Sequence, residues 1–238
     1  MYKMGGRIRY SECGGDKRAT LTAIINYFQD CTSENSERLG VGVEYLKQKK
    51  RAWILNTWHV IVNRYPEIGE EIEVSTWATG FKGVFGPRNF CMKSKGGELL
   101  AYANTLWVYV NTETGRPTKP DEEEMAIYGT EPPLEMEPVS RKIKFPEEAV
   151  EVDTFPVHKY HIDTNHHVNN SQYIQMATEV LPEGFCVKQL RVEYKKEAIC
   201  GDTMRLKYVA QGENVIAALC DAEDLPYAII EFTGEVER

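Results

Sequence analysis

Two amphipathic helices, each followed by a train of short β-branched and aromatic runs, constrain this 238-residue chain more than any other feature. In the first half, Leu21, Ile24, Ile25, Phe28 and Thr32 recur at helical spacing, so TLTAIINYFQDCTSENSERLG reads as a helix with one apolar face. The runs WHVIVNRYP, EIEVSTW and TLWVYVN follow, bounded by Gly or Pro, and these read as strands. In the second half, NNSQYIQMATEVL puts Tyr173, Ile174, Ala177, Val180 and Leu181 on one helical face, with Asn169 or Asn170 as cap and Pro182 as stop signal. QLRVEYK, TMRLKYVA, VIAALCD and YAIIEFTG then supply four more strands. Setting Gly69 against Gly201 lays WHVIVNRYPEIGEEIEV over LRVEYKKEAICGDTMRL, with apolar positions largely on apolar positions. One helix cannot cover a sheet of this length, and each half alone would expose an apolar surface. The expected architecture is therefore α+β: two helix-plus-antiparallel-sheet modules packed side by side.

The seam between them lies in the stretch from Pro117 to Pro138, where RPTKPDEEEM and TEPPLEMEP together carry five prolines and an acidic run. Such a segment is expected to form neither helix nor central strand. We place the first module at residues 1–129, a linker at 130–139 and the second module at 140–238. The balance of 28 Lys and Arg against 36 Asp and Glu leaves a charge of −8, which argues against a general nucleic-acid binder. No apolar run approaches the ~18–20 residues of a membrane span. The start, MYKMGGRIRYSEC, shows no apolar stretch with a small-residue cleavage site, so no leader is expected and the expected compartment is the cytoplasm. Six cysteines without a CxxC pair read as reduced thiols, mostly small core residues.

The densest polar constellation is PVHKYHIDTNHHVNNSQY. It holds four of the five histidines together with Asp163, Asn165, Asn169 and Asn170, just ahead of the second helix. Three readings fit these residues: a polar loop with a helix cap, a metal site, or an acid/base and oxyanion-stabilising site at a helix N-terminus. The spacing matches no established metal-ligand signature, so no metal and no cofactor are expected. Matching Tyr27 with Tyr173 puts Leu21 opposite His167, Ala19 opposite Asn165 and Lys17 opposite Asp163. On that alignment the first module has the framework without the polar set, and chemistry is expected in the second module alone.

HIDTNHHVNNSQYI resembles the D-x-N-x-H-V-N-N signature of the acyl-acyl-carrier-protein thioesterases. WHVIVNRYPEIGEEIEVSTW, GPRNFCM, ANTLWVYVNTETGRPTKP and LRVEYKKEAICGD resemble the same family in the same order, so the likeness spans nearly the whole chain. The resemblance implies a tandem hot-dog fold. It also implies hydrolysis of the thioester joining a fatty acyl chain to the phosphopantetheine arm of acyl carrier protein, which releases the fatty acid and ends elongation. Residue by residue it implies catalytic roles for Asp163, Asn165, His167 and Glu197. The cysteine that follows the glutamate in plant members is Ala198 here, which removes a candidate thiolate and points to direct attack by water. Glu197 would then be the base or would position the water, while Asn165, His167 and helix amides stabilise the oxyanion and Asp163 fixes its neighbours.

Strict alternation complicates the glutamate, because it puts Arg191, Glu193, Lys195 and Glu197 on the face opposite Leu190, Val192 and Tyr194. A bulge or strand end near Lys196 is needed to re-aim it. All four tryptophans (Trp53, Trp58, Trp77, Trp107) fall in the first module, at least two of them as core and the rest as walls of an acyl tunnel. KQKKR (Lys47 to Arg51) is a solvated face or a dock for an acidic carrier protein. Coenzyme A as the carrier, a non-catalytic acyl-binding module and assembly as a homodimer stay open.

Overall fold

A computed structural model describes residues 1–236 and divides them into two compact units. The first comprises Met1–Asn56 and Val62–Glu137; the second comprises Thr57–Ile61 and the chain from Pro138 onward. The first unit contains β1 (Tyr2–Arg7), α1 (Leu21–Arg38), α2 (Val43–Gln48), β2 (Arg51–Val62), β3 (Glu71–Ala78), β4 (Phe85–Ser94), β5 (Leu99–Asn111), β6 (Arg116–Pro117) and α3 (Glu122–Tyr128). Its strands run in the order β1-β3-β4-β5-β2, with β6 paired on β5. The second contains β7 (Val150–Pro156), α4 (Asn170–Thr178), β8 (Phe185–Tyr194), β9 (Thr203–Gln211), β10 (Asn214–Cys220) and β11 (Pro226–Val236), in the antiparallel order β8-β11-β10-β9-β7. Thr57–Ile61 of β2 also pairs with β8, from Thr57↔Glu193 to Ile61↔Gln189. Trp58, almost fully buried, therefore belongs to the second unit, which corrects the expectation that all four tryptophans serve the first.

Local chemistry sets the helix limits. Thr20 caps α1 by accepting from the Ala23 amide at 3.1 Å. At the other end Gly40 takes φ +74°, its amide donates to Glu37 O and the Val41 amide to Ser36 O, a Schellman closure. Ile24, Ile25, Phe28 and Cys31 of α1 are fully buried, and Phe28 meets Phe90 at 5.2 Å between ring centroids. Each large side chain so buried contributes about 1.5–3 kcal/mol. α4 stops at Thr178, short of the expected Leu181, because the amides of Glu179, Val180 and Leu181 turn to carbonyls three residues back. The proline-rich seam holds a helix after all: Asp121 caps α3 reciprocally with Glu124, and three glutamates occupy its positive first turn. The acidic run that read as linker is a helix start.

The sheet of the second unit is covered on both faces. Tyr173, Ile174 and Ala177 bury one side of α4, which lies against β10 and β11. On the alternate face, Ile216, Ala218, Cys220 and Ile229 pack with Ile143, Phe145 and Val209. The Ile143 amide donates to Glu193 Oε2 at 2.9 Å, and Arg191 Nη2 donates to Ser140 O at 2.7 Å. Glu193 is thus buried, although alternation alone would assign it to solvent. Among the described residues no helix is long and apolar enough to cross a membrane.

Candidate active site

The polar segment before α4 folds into a tight, internally bonded loop. A 3-10 turn (Lys159–His161) leads in, and Ile162 and Val168 form an isolated antiparallel bridge around the tip. Asp163 closes that tip: its amide donates to His167 O at 2.8 Å, and its Oδ1 accepts from the amides of Asn165 (2.7 Å) and His167 (3.4 Å). His166 takes φ +66°, the left-handed geometry that lets the chain reverse. Asn169 caps α4, accepting from the Ser171 amide at 2.9 Å and the Ser171 hydroxyl at 3.0 Å. The Gln172 amide donates to Asn169 O, so these first-turn amides are already engaged. His161 Nδ1 accepts from the His158 amide at 3.1 Å, and burial pushes the pKa of His161 down.

Glu197 reaches the same place from the far end of β8. The strand ends at Tyr194, and the amides of Lys195 (2.8 Å) and Lys196 (3.4 Å) both donate to Tyr227 O. Two consecutive donors on one carbonyl break the alternation and re-aim the chain. Glu197 Oε2 consequently lies 3.2 Å from His167 Nε2, both side chains remaining open to solvent at 50% and 36%. Ala198 is fully buried; its amide donates to Tyr173 Oη at 3.0 Å and its carbonyl accepts from the Val168 amide at 2.9 Å. Ile199 donates to Asp202 Oδ2, which also accepts from the Tyr227 hydroxyl at 3.2 Å. Sequence reasoning read Tyr173 as an apolar face residue and left out Asp202 and Tyr227. The two tyrosine hydroxyls are the signal it passed over, since a buried Tyr needs a partner. The Tyr173 hydroxyl is accordingly raised well above its ordinary pKa, chiefly by burial.

The first unit repeats this scaffold bond for bond. Cys13 and Ala19 form the matching bridge, Lys17 takes φ +64°, and the Gly14 amide donates to Arg18 O at 2.9 Å. The Ala19 amide donates to Pro66 O at 2.8 Å, as Val168 does to Ala198 O. Ala19 therefore answers to Val168, which puts Arg18 opposite His167, Asp16 opposite Asn165, Gly14 opposite Asp163 and Tyr65 opposite Glu197. This overturns the alignment of Tyr27 with Tyr173, which slipped by three residues because both helices carry apolar side chains at every third or fourth position. The first loop is polar too, with Arg18 Nε 2.7 Å from Asp16 Oδ2, but it has no His–Glu pair at the matching positions.

Two family models cover most of the chain, the acyl-ACP thioesterase N-terminal domain over residues 1–128 and its C-terminal domain over residues 145–223. The chain belongs to the acyl-ACP thioesterase family. It is 28% identical over 238 aligned residues to the chloroplastic dodecanoyl-[acyl-carrier-protein] hydrolase of Umbellularia californica, covering 90% of this chain and 61% of that protein. It is 30% identical over 213 residues to the palmitoyl-acyl carrier protein thioesterase of Gossypium hirsutum, covering 82% and 51%. The chain thus spans between half and two thirds of these curated relatives. An acyl-ACP thioesterase from Bacteroides thetaiotaomicron shares the fold at a TM-score of 0.89, with 20% identity and coverage of 98% and 97%. The 12:0-ACP thioesterase structure from Umbellularia californica gives 0.88, with 22% identity and coverage of 99% and 97%. The fold is the α+β tandem hot-dog of this family.

Proposed function

We propose that the protein hydrolyses the thioester of a fatty acyl chain carried on acyl carrier protein, in the cytoplasm, with Asp163, Asn165, His167 and Glu197 as its site. The observation that carries the reading is the His167–Glu197 pair, 3.2 Å apart on two chain segments that the buried Ala198 clamps together. Glu197 takes a proton from water as the oxygen attacks the thioester carbon. The oxyanion forms against the side chains of Asn165 and His167, because Asn169 already occupies the helix amides of Ser171 and Gln172. Collapse expels the pantetheine thiolate, Glu197 returns the proton to sulfur, and a fatty acid and a thiol leave. Asp163 holds the loop in shape through the amides of Asn165 and His167.

In this division of labour the second unit carries the chemistry and the first shapes the acyl-chain pocket around its aromatic cluster. There Trp53 lies 4.7 Å from Tyr109 and 6.1 Å from Phe81 between centroids. The basic run is a weaker dock than its sequence suggests. Lys49 is 3.1 Å from Asp121 and 3.4 Å from Glu124, Lys50 is 2.5 Å from Glu113, and Arg51 donates to backbone carbonyls. The deciding experiment compares kcat/KM for acyl-acyl-carrier protein and the matching acyl-coenzyme A across a salt series. Preference for the carrier protein is expected. Equal rates would favour the coenzyme, and no turnover of either would favour a binding module.

A further inference from the structure

Tyr227, on β11, holds the segment that carries Glu197 at both ends. Its carbonyl accepts from the amides of Lys195 (2.8 Å) and Lys196 (3.4 Å), just before the glutamate. Its ring lies 4.6 Å from the Lys196 ammonium, which is tied in turn to Asp221. Its hydroxyl donates to Asp202 Oδ2 at 3.2 Å, and the same oxygen accepts from the Ile199 amide at 3.0 Å, just after the glutamate. The tyrosine is buried, and burial, with the Asp202 carboxylate adding to it, pushes the hydroxyl up to about 12. It therefore keeps its proton and goes on donating throughout the neutral range. Glu197 itself is half open to solvent, so its aim depends on the backbone to either side.

The first unit shows which of these bonds the backbone needs for its own sake. There the amides of Asn63 (2.8 Å) and Arg64 (3.2 Å) both donate to Leu100 O. Glu70 Oε2 accepts from the Glu67 amide at 2.9 Å, and the Glu70 carbonyl accepts from Ile8 as the Asp202 carbonyl does from Val157. Leu100 thus answers to Tyr227, and Glu70 to Asp202. The Glu70 carboxylate is held by the Arg64 guanidinium at 2.9 and 2.7 Å, and leucine has no hydroxyl to offer it. A leucine therefore suffices for the fold of this segment, and the phenol stands in the unit that holds the His167–Glu197 pair. We propose that Tyr227 is a positioning residue for Glu197, its hydroxyl fixing Asp202 and through it the backbone that aims the glutamate at His167. The proposal rests on the hydrolase reading, with Glu197 as the base. Displacing a reacting group by about 1 Å costs about 10²-fold in rate, which is the lever such a residue works on.

Steady-state kinetics of the full chain on one acyl-acyl-carrier-protein substrate test it. Tyr227→Phe deletes the hydroxyl and keeps the ring and the carbonyl. Its kcat should fall about tenfold to about 10²-fold, with KM within about twofold of wild type. Asp202→Ala should lose as much, and the two substitutions together no more than the worse one, since they break one chain of bonds. In a Glu197→Gln background Tyr227→Phe should lower the residual kcat no further, whereas a loss of folded enzyme would lower both backgrounds alike. Glu70→Gln, which loosens the matching segment of the first unit, should leave kcat unchanged. If Tyr227→Phe does not fold, Asp202→Ala carries the same comparisons. The proposal alone is overturned if Tyr227→Phe or Asp202→Ala keeps wild-type kcat, if the loss is equal with and without Glu197, or if Glu70→Gln cuts kcat as deeply. An inactive wild type, or a Glu197→Gln enzyme of wild-type rate, overturns the hydrolase reading and the proposal with it.

Discussion

Replacing Glu197 by Gln separates catalysis from stability because of where the side chain sits. The carboxylate is half open to solvent and its histidine partner 36% open. An exposed pair of this kind contributes about 0–1 kcal/mol to folding, so thermal midpoints should barely move. Gln keeps the volume and one acceptor oxygen but cannot take a proton at neutral pH. Losing a general base costs about 10²–10⁴-fold in rate. At 1.36 kcal/mol per tenfold, that is about 3–5 kcal/mol of transition-state stabilisation from a residue worth under about 1 kcal/mol to the fold. The assay is kcat on one acyl-acyl-carrier-protein substrate over pH 5–9, alongside a melting curve. The double variant His167→Ala/Glu197→Gln should fall little below the worse single one, since the two act as one unit. A Glu197→Gln enzyme with near wild-type kcat would refute the reasoning and return the residue to the solvated role that plain alternation assigns.

Tyr173→Phe removes the partner of the Ala198 amide, a buried donor, and should cost about 1–3 kcal/mol of stability. Its kcat should fall with KM nearly unchanged, because Ala198 carries Glu197; an unaltered kcat would show that the hydroxyl positions nothing. Ala198→Cys should create no nucleophile, since the position is fully buried, and alkylating the exposed Cys200 should leave kcat intact. An acyl-cysteine trapped at either place would restore a covalent route. Acid stability should track Glu70, whose carboxyl the Arg64 guanidinium holds below its usual range. A depressed folded-state pKa gives stability that is present above the ordinary carboxylate value of about 4.3 and lost as pH falls through the lowered one. The urea midpoint of Glu70→Gln should therefore be lower than wild type at pH 7 and converge with it in acid; an equal gap at both would contradict the linkage.

Helical periodicity and β-branched runs were enough to place α1, α4 and seven of the strands, because those elements carry their own burial pattern. β1 and β7 escaped notice as edge strands: MYKMGGR has two glycines, and VEVDTFP alternates with acids and is almost wholly exposed. α3 was hidden behind prolines, yet Pro120 stands just before the Asp121 cap, where a helix tolerates it. The motif residues Asp163, Asn165 and His167 were visible as a cluster. Their link to Glu197 was not, because it depends on both Lys195 and Lys196 donating to Tyr227 O. That bulge joins residues thirty positions apart and leaves no local trace in composition.

The repeated scaffold isolates what the site adds. Bridge, left-handed residue, loop-closing bond and the bond from the residue before the cap recur in both units with near-identical distances. The backbone arrangement tolerates different polar side chains: Gly14 fills the place of Asp163, Asp16 Oδ1 accepts from the Arg18 amide, and Thr20 caps α1 as Asn169 caps α4. What differs is Arg18 for His167 and Tyr65 for Glu197, a cation and a phenol in place of an imidazole and a carboxylate. Two copies of one loop, one carrying a His–Glu pair and the other an Arg–Asp pair, put the difference between the units in side chains grafted on a common frame. It follows that putting His at position 18 and Glu at position 65 should be tolerated by the fold.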